Sequence, residues 1–178
     1  MFFEETFIEG VYVIEQEIKS DERGFFSRAF CANEFEKMGL SSKCLQASRS
    51  FSSLKGTLRG MHYQLEPHAE TKLVQCTRGS LYDVALDLRE NSPTFGKSVG
   101  RCLSDKNRKM MYIPKGCAHG FITLENDTEI FYIVSQFYDS KSERGVRWND
   151  PLFQIEWPIS PSVLSPKDLS YPDFLPTS

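Results

Sequence analysis

The sequence has no apolar run approaching the roughly 20 residues that a membrane-spanning helix requires, so a membrane partner is not expected. It also lacks a basic excess: 21 Lys and Arg against 24 Asp and Glu, interspersed along the chain, give a formal net charge of -3. Without an extended positive field, nucleic acid is not an expected partner. Cys31, Cys44, Cys76, Cys102 and Cys117 are odd in number and lack CxxC spacing, so neither a disulfide framework nor a zinc ribbon is indicated. They read as buried, reduced thiols of a cytoplasmic protein. The N-terminus MFFEETFIEG carries acids where a secretory signal has a basic segment. No GxGxxG dinucleotide fingerprint, internal repeat or low-complexity linker occurs.

What is present is a chain of 178 residues, 40% hydrophobic and 13% aromatic, which suffices for one domain over residues 1–178. Fourteen Phe and seven Tyr set among short apolar runs favour strands. Val11 to Ile18 (VYVIEQEI) alternates apolar and polar residues, predicting a half-buried strand. Asn33 with Glu36 forms a capping-box pattern, and Gly39 supplies a stop, predicting a short helix over about residues 33–38. TKLVQCT, SLYDVALDL, RKMMYIP and TEIFYIVSQFY are further strand candidates, separated by Gly, Pro and Asn-Asp punctuation. Many short strands at this spacing mean an all-β sandwich or barrel with a few short helices. From Asn149 onward the sequence is rich in Pro and Ser and reads as an ordered, irregular tail.

There are three histidines, and His62 (LRGMHYQ) and His119 (GCAHGF) sit in Gly-bearing contexts where a titratable ring can be built into a site. The third, His68, has no such context. A strand metal site wants His-x-His, and the position two beyond His62 is Gln64, so no metal is expected. Arg59, Lys72, Lys115 and Lys167 lie near these histidines or a strand end, where cations meet phosphate or an oxyanion; each can equally be a solvated charge. Tyr132 and Tyr138, six apart in one predicted strand, point to one face, either core or pocket wall. Asp168, in LSPKD, is either a loop acid or the orienting partner of a histidine base.

Taken together, DERGFF (Asp21 to Phe26), GTLRGMHYQ (Gly56 to Gln64), KLVQCTRGSLYDVALDLR (Lys72 to Arg89), SPTFG (Ser92 to Gly96), IPKGCAHGF (Ile113 to Phe121), ERGVRWNDP (Glu143 to Pro151), IEWP (Ile155 to Pro158) and LSPKD (Leu164 to Asp168) resemble the dTDP-4-dehydrorhamnose 3,5-epimerase family. The resemblance runs from about Ile14 to Asp173. It implies a cupin-type jelly-roll β-barrel with its pocket between two sheets, a homodimer in which an N-terminal strand crosses to the partner, and no cofactor. It implies that His62 is the base, oriented by Asp168, that Lys72 stabilises the enolate oxygen, and that Tyr132 is the acid on the other face. Arg59, His119 and Lys167 would contact the diphosphate or sugar, and Arg23, Phe26 and Gln46 the nucleotide; Tyr138 is kept as a candidate substrate-binding residue on the spacing alone.

Two departures concern the nucleobase. After RGFF the family continues with an acid flanked by aromatics, where this chain has Ser27-Arg28-Ala29-Phe30, and its Gln-x-Asn is here Gln46-Ala47-Ser48. A carboxylate accepts from thymine N3-H, whereas cytosine N3 is an acceptor that suits an Arg donor. Arg28 and Ser48 are therefore candidate base-reading residues, and CDP is an expected alternative to dTDP. The expected substrate is a nucleoside-diphosphate 4-keto-6-deoxyhexose inverted at C3, with C5 open. A cupin sugar-nucleotide ketoisomerase and a non-catalytic sugar-nucleotide-binding protein are the alternatives.

Overall fold

Side chains that alternate inward and outward along the strands build two antiparallel sheets facing each other, the sandwich form of the barrel predicted from the spacing of short strands. A computed structural model of the chain describes residues 1–175. In chain order its elements are β1 (Phe2–Glu5), β2 (Tyr12–Glu15), β3 (Ile18–Asp21), β4 (Gly24–Ser27), α1 (Ala32–Lys37), β5 (Gln46–Ser52), β6 (Leu58–Gln64), β7 (Lys72–Arg78), β8 (Ser80–Asp87), β9 (Ser98–Ser104), β10 (Met110–Ile113), β11 (Cys117–Thr123), β12 (Thr128–Val134), β13 (Glu143–Gly145) and α2 (Pro166–Ser170). A six-stranded sheet runs β1-β2-β10-β7-β12-β5 and a five-stranded sheet β13-β6-β11-β8-β9, with β3-β4 a separate hairpin. No helix among the described residues is long and apolar enough to cross a membrane.

Three apolar clusters hold the layers. Val74, Cys76, Met111 and Ile130 of the larger sheet meet Leu81, Ala85, Leu103 and Phe121 of the smaller one inside the barrel. Outside the larger sheet, Phe35 of α1 packs on Tyr12, Ile14, Leu73 and Tyr112. Outside the smaller sheet, Phe153 and Val146 cover Met61, Val84 and Ala118.

Two local expectations change. The segment before Glu15 is buried on both faces, because Val11 faces the barrel interior while Tyr12 and Ile14 lie under α1; alternation there does not mark a solvent face. The helix begins at Ala32 with Cys31 as its N-cap and no side-chain cap bond, so Asn33 caps nothing. A six-residue helix is too short to hold by itself. It is held by Phe35, 1% exposed, whose burial contributes about 2 kcal/mol and whose ring contacts Phe3, Phe30 and Tyr112. The N-terminal strand expected to cross to a partner pairs here with its own chain, Phe2 opposite Glu15.

β6 and β11 approach closely at a pair of glycines. Gly60 has φ +129, and a Cβ there would fall against the Gly120 backbone and the His119 carbonyl. Only glycine meets both demands, and the contact fixes the strand carrying His62 against the strand carrying His119.

Candidate active site

The period of two along each strand decides which side chains face inward. His62 of β6 and His119 of β11 are register partners in the smaller sheet. Lys72 of β7 and Tyr132 of β12 come from the opposing sheet, on the same inward face as Val74 and Ile130. All four line one cavity of about 450 Å³, together with Arg59, Lys167 and Asp168.

His62 Nε2–H donates to Asp168 Oδ1 at 2.6 Å, a contact 106 residues long in sequence. The tail reaches back because Leu58 N–H donates to the Val163 carbonyl and Ser162 N–H to the Gly56 carbonyl, with Thr57 bridged to Val163. Ser165 then caps α2 by accepting from the Asp168 N–H at 3.0 Å. Asp168 is 3% exposed. Burial pushes its pKa up, but the bond and charge of His62, with bonds from Ser165 and the Gly60 backbone, outweigh this and hold the carboxyl below its usual value. With Nε2 committed to a carboxylate, Nδ1 of His62 is the nitrogen left to take a proton.

The other polar groups are equally tied. His119 Nε2–H donates to Asp83 Oδ1 at 2.7 Å, and Asp83 is wholly buried. Lys72 pairs with Glu70 at 3.2 Å, and Glu70 also accepts from Gln64 Nε2 at 3.2 Å. Arg59 donates to Ser52 Oγ and the Phe51 carbonyl. Lys167 donates to Glu143 at 2.6 Å, as does the Tyr138 hydroxyl at 2.8 Å. Burial raises the Glu143 pKa, but the bonds from Lys167 and Tyr138 prevail and hold it low. In return the bond to Glu143 raises both Lys167 and Tyr138. A second cavity of about 340 Å³ adjoins the first, sharing His62, Lys72 and Tyr132 and adding Gln46, Ser48, Glu70, Tyr138 and Glu143.

A histidine base oriented by a buried carboxylate, a lysine and a tyrosine on the opposite wall, and cations at the rim can move protons on a carbon acid and hold an anionic ligand. Across residues 5–175 the chain matches the family of dTDP-4-dehydrorhamnose 3,5-epimerases. The chain belongs to that family. The dTDP-4-dehydrorhamnose 3,5-epimerase of Shigella flexneri is 44% identical over 171 residues, covering 96% of this chain and 94% of that protein. Among solved structures, the dTDP-4-dehydrorhamnose 3,5-epimerase of Elizabethkingia anophelis matches with a TM-score of 0.93 at 42% identity, covering 98% of this chain and 96% of that one. The dTDP-6-deoxy-D-glucose-3,5-epimerase of Legionella pneumophila, solved in complex with dTDP-4-keto-L-rhamnose, matches with a TM-score of 0.90 at 40% identity, covering 96% and 90%. The chain is thus an isomerase of the epimerase class, on the cupin-like fold of this family.

Of the residues expected in an epimerase site, His62, Lys72, Tyr132, Asp168, Arg59, His119 and Lys167 converge on the first cavity, and Gln46, Ser48 and Tyr138 on the second. Tyr138 is not on the strand of Tyr132, which ends at Val134. It reaches the same wall because its N–H donates to Gln46 Oε1 at 2.8 Å after the chain has turned. Lys115 is half exposed beside Glu66 and lines neither cavity. Arg23 and Phe26 lie on the β3-β4 hairpin, around a separate concavity with Lys19 and Phe25. Arg28 pairs with Glu34 at 3.2 Å and faces neither cavity, so the expectation of cytosine built on it finds no support here. Asp83, Glu70 and Glu143 were missed. Asp83 and Glu143 fall inside segments that carry the family resemblance, which was the one available signal, and Glu70 lies outside them.

Proposed function

We propose that this epimerase inverts C3 and C5 of a dTDP-linked 4-keto-6-deoxyhexose by proton abstraction through an enolate. The observation that carries this reading is that His62, with its acid Asp168, and Tyr132 face one cavity from opposite sheets. A base alone returns the proton to the face it came from, whereas inversion needs a donor on the other side. The C4 carbonyl acidifies the hydrogens on C3 and C5. His62 Nδ1 takes the proton from C3, the C–H electron pair forms the C3–C4 double bond, and charge moves onto O4. Lys72, tied to Glu70, donates to that oxygen as its charge develops. Tyr132 then gives its hydroxyl proton to C3 from the opposite face, the carbonyl re-forms, and solvent restores both groups. The same set serves C5 after the ring turns. Arg59 and Lys167 supply donors for the diphosphate, His119 lines the same cavity, and Gln46, Ser48 and Tyr138 border the nucleotide side.

The working unit is a homodimer. Phe25 and Phe26 are 52% and 66% exposed on a hairpin whose strands, among the described residues, pair only with each other, and Arg23 and Phe26 reach a substrate in the pocket of a second copy. The deoxysugar pathway it serves is cytoplasmic, in keeping with five free cysteines.

Incubation with a dTDP-4-keto-6-deoxyhexose in deuterated water tests the reading. Deuterium must enter C3 and C5, and His62→Ala must abolish both. Label at C3 alone overturns the C5 assignment, and no label overturns the enzyme reading in favour of a binding protein. CDP-linked substrate run alongside should show the lower kcat/KM.

A further inference from the structure

We infer that Tyr171 is a positioning residue that locks the imidazole of His62 in its reactive orientation. The inference rests on His62 being the base. A ring held by one hydrogen bond can still tilt about that bond, and the bond from His62 Nε2 to Asp168 is such a tether. The flank of the ring is stopped by Tyr171, whose ring meets it edge to face, with centroids 6.0 Å apart and planes at 66°. Both restraints come from one turn of chain, since α2 carries Asp168 and Tyr171 is its C-cap.

The tyrosine is itself clamped. Gly145 of β13 is the register partner of His62, and a methyl group at Gly145 would overlap the Tyr171 ring. The glycine thus leaves the space that the ring fills beside the base. The Tyr171 hydroxyl is buried beside Lys167 without completing a hydrogen bond, so the ring and not the hydroxyl does the positioning. Tyr171 does not line either cavity that His62 faces and acts on the reaction only through the histidine. Displacing a catalytic group by about 1 Å can cost on the order of 10²-fold in rate.

The test uses Y171A, Y171F, G145A and the double variant G145A/Y171A. Y171A should lower kcat for inversion and the rate of deuterium entry at C3 together, by about 10- to 100-fold, with KM changed less than about threefold. Y171F should match the unmodified enzyme. G145A, which pushes the ring aside while leaving the tyrosine in place, should reproduce the loss and supplies the reading if Y171A does not fold. The double variant should be no worse than Y171A alone, because both changes act through one ring. Unchanged kcat in Y171A or G145A, a loss confined to KM, failure of Y171F to match, or losses that multiply in the double variant would each overturn the inference. His62→Ala separates the two readings: exchange surviving in that variant means that the assignment of the base has failed, whatever Tyr171 does.

Discussion

Asp168→Asn removes a charge from the centre of the site while keeping its shape. The carboxylate is 3% exposed and takes the His62 Nε2–H at 2.6 Å, so the imidazolium formed during proton abstraction has a buried counter-charge in contact. A hydrogen bond to a charged group contributes about 1.5–3 kcal/mol, and about 1.4 kcal/mol is a decade in rate. The loss expected in kcat is therefore about 10- to 150-fold. The amide can also present its own N–H to Nε2, which would favour the tautomer with a proton on Nδ1 and take the base away altogether, adding to the loss. KM should change little, because Asp168 contacts the histidine and its own helix cap and no cation that binds phosphate. Steady-state inversion and the initial rate of deuterium entry at C3 should fall by the same factor, since both need the abstraction step. A kcat within about threefold of the unmodified enzyme, on a folded variant, would refute the dyad.

Tyr132→Phe keeps the ring that packs against the barrel core but removes the acid, so deuterium exchange should survive better than net inversion; equal retention of both by NMR assigns the tyrosine to packing. Asp87 is fully buried, and its pKa, raised by burial but lowered further by bonds from Arg89, Ser92 and Thr94, sits at about 2 against 3.8. A carboxyl lowered in the folded state stabilises above its unfolded value, so its contribution of about 2 kcal/mol should be present above pH 3.8 and disappear as pH falls towards 2; Asp87→Asn should flatten the Tm profile in that window. Burial pushes the Cys76 and Cys117 thiols up to about 12, so a thiol reagent at neutral pH should titrate Cys31, Cys44 and Cys102 in native protein and all five cysteines only after unfolding. Gly120→Ala would drive a methyl into Met61 and the Arg59 carbonyl and should lower Tm by several degrees together with activity.

The strand-rich class and most of the pocket were legible in the sequence, for different reasons. Apolar runs such as TEIFYIV announce strands because buried β-branched and aromatic residues have few other places to go. β6 and β11 were recognised through their chemistry and not as strands, since Gly60 and Gly120 dilute the β signal in the places where close packing demands them. Alternation around Tyr12 misled because a helix covers the face expected to meet water. The Asn33 cap failed for a related reason: burial of Phe35 sets where that short helix begins. His62 and Asp168 carried a local signal each, but their meeting depends on a tail stapled to Gly56 and Leu58 by backbone bonds, which no side-chain pattern encodes. Glu70 and Glu143 stayed hidden because an acid paired with a site cation looks, in sequence, like any surface carboxylate.

The distance along the chain between His62 and Asp168 also sets when the site comes into being. As the polypeptide leaves the ribosome, the strand bearing the base is made 106 residues before the acid that orients it. Both sheets are by then already translated. A barrel whose strands are complete thus still lacks the acid that orients its proposed base until the turn of α2 has been added. The same ordering makes the protein divisible: a cut in the Pro- and Ser-rich stretch ahead of Val163 would separate a scaffold carrying the base from a short peptide carrying its acid, and activity would then report whether the two had found each other.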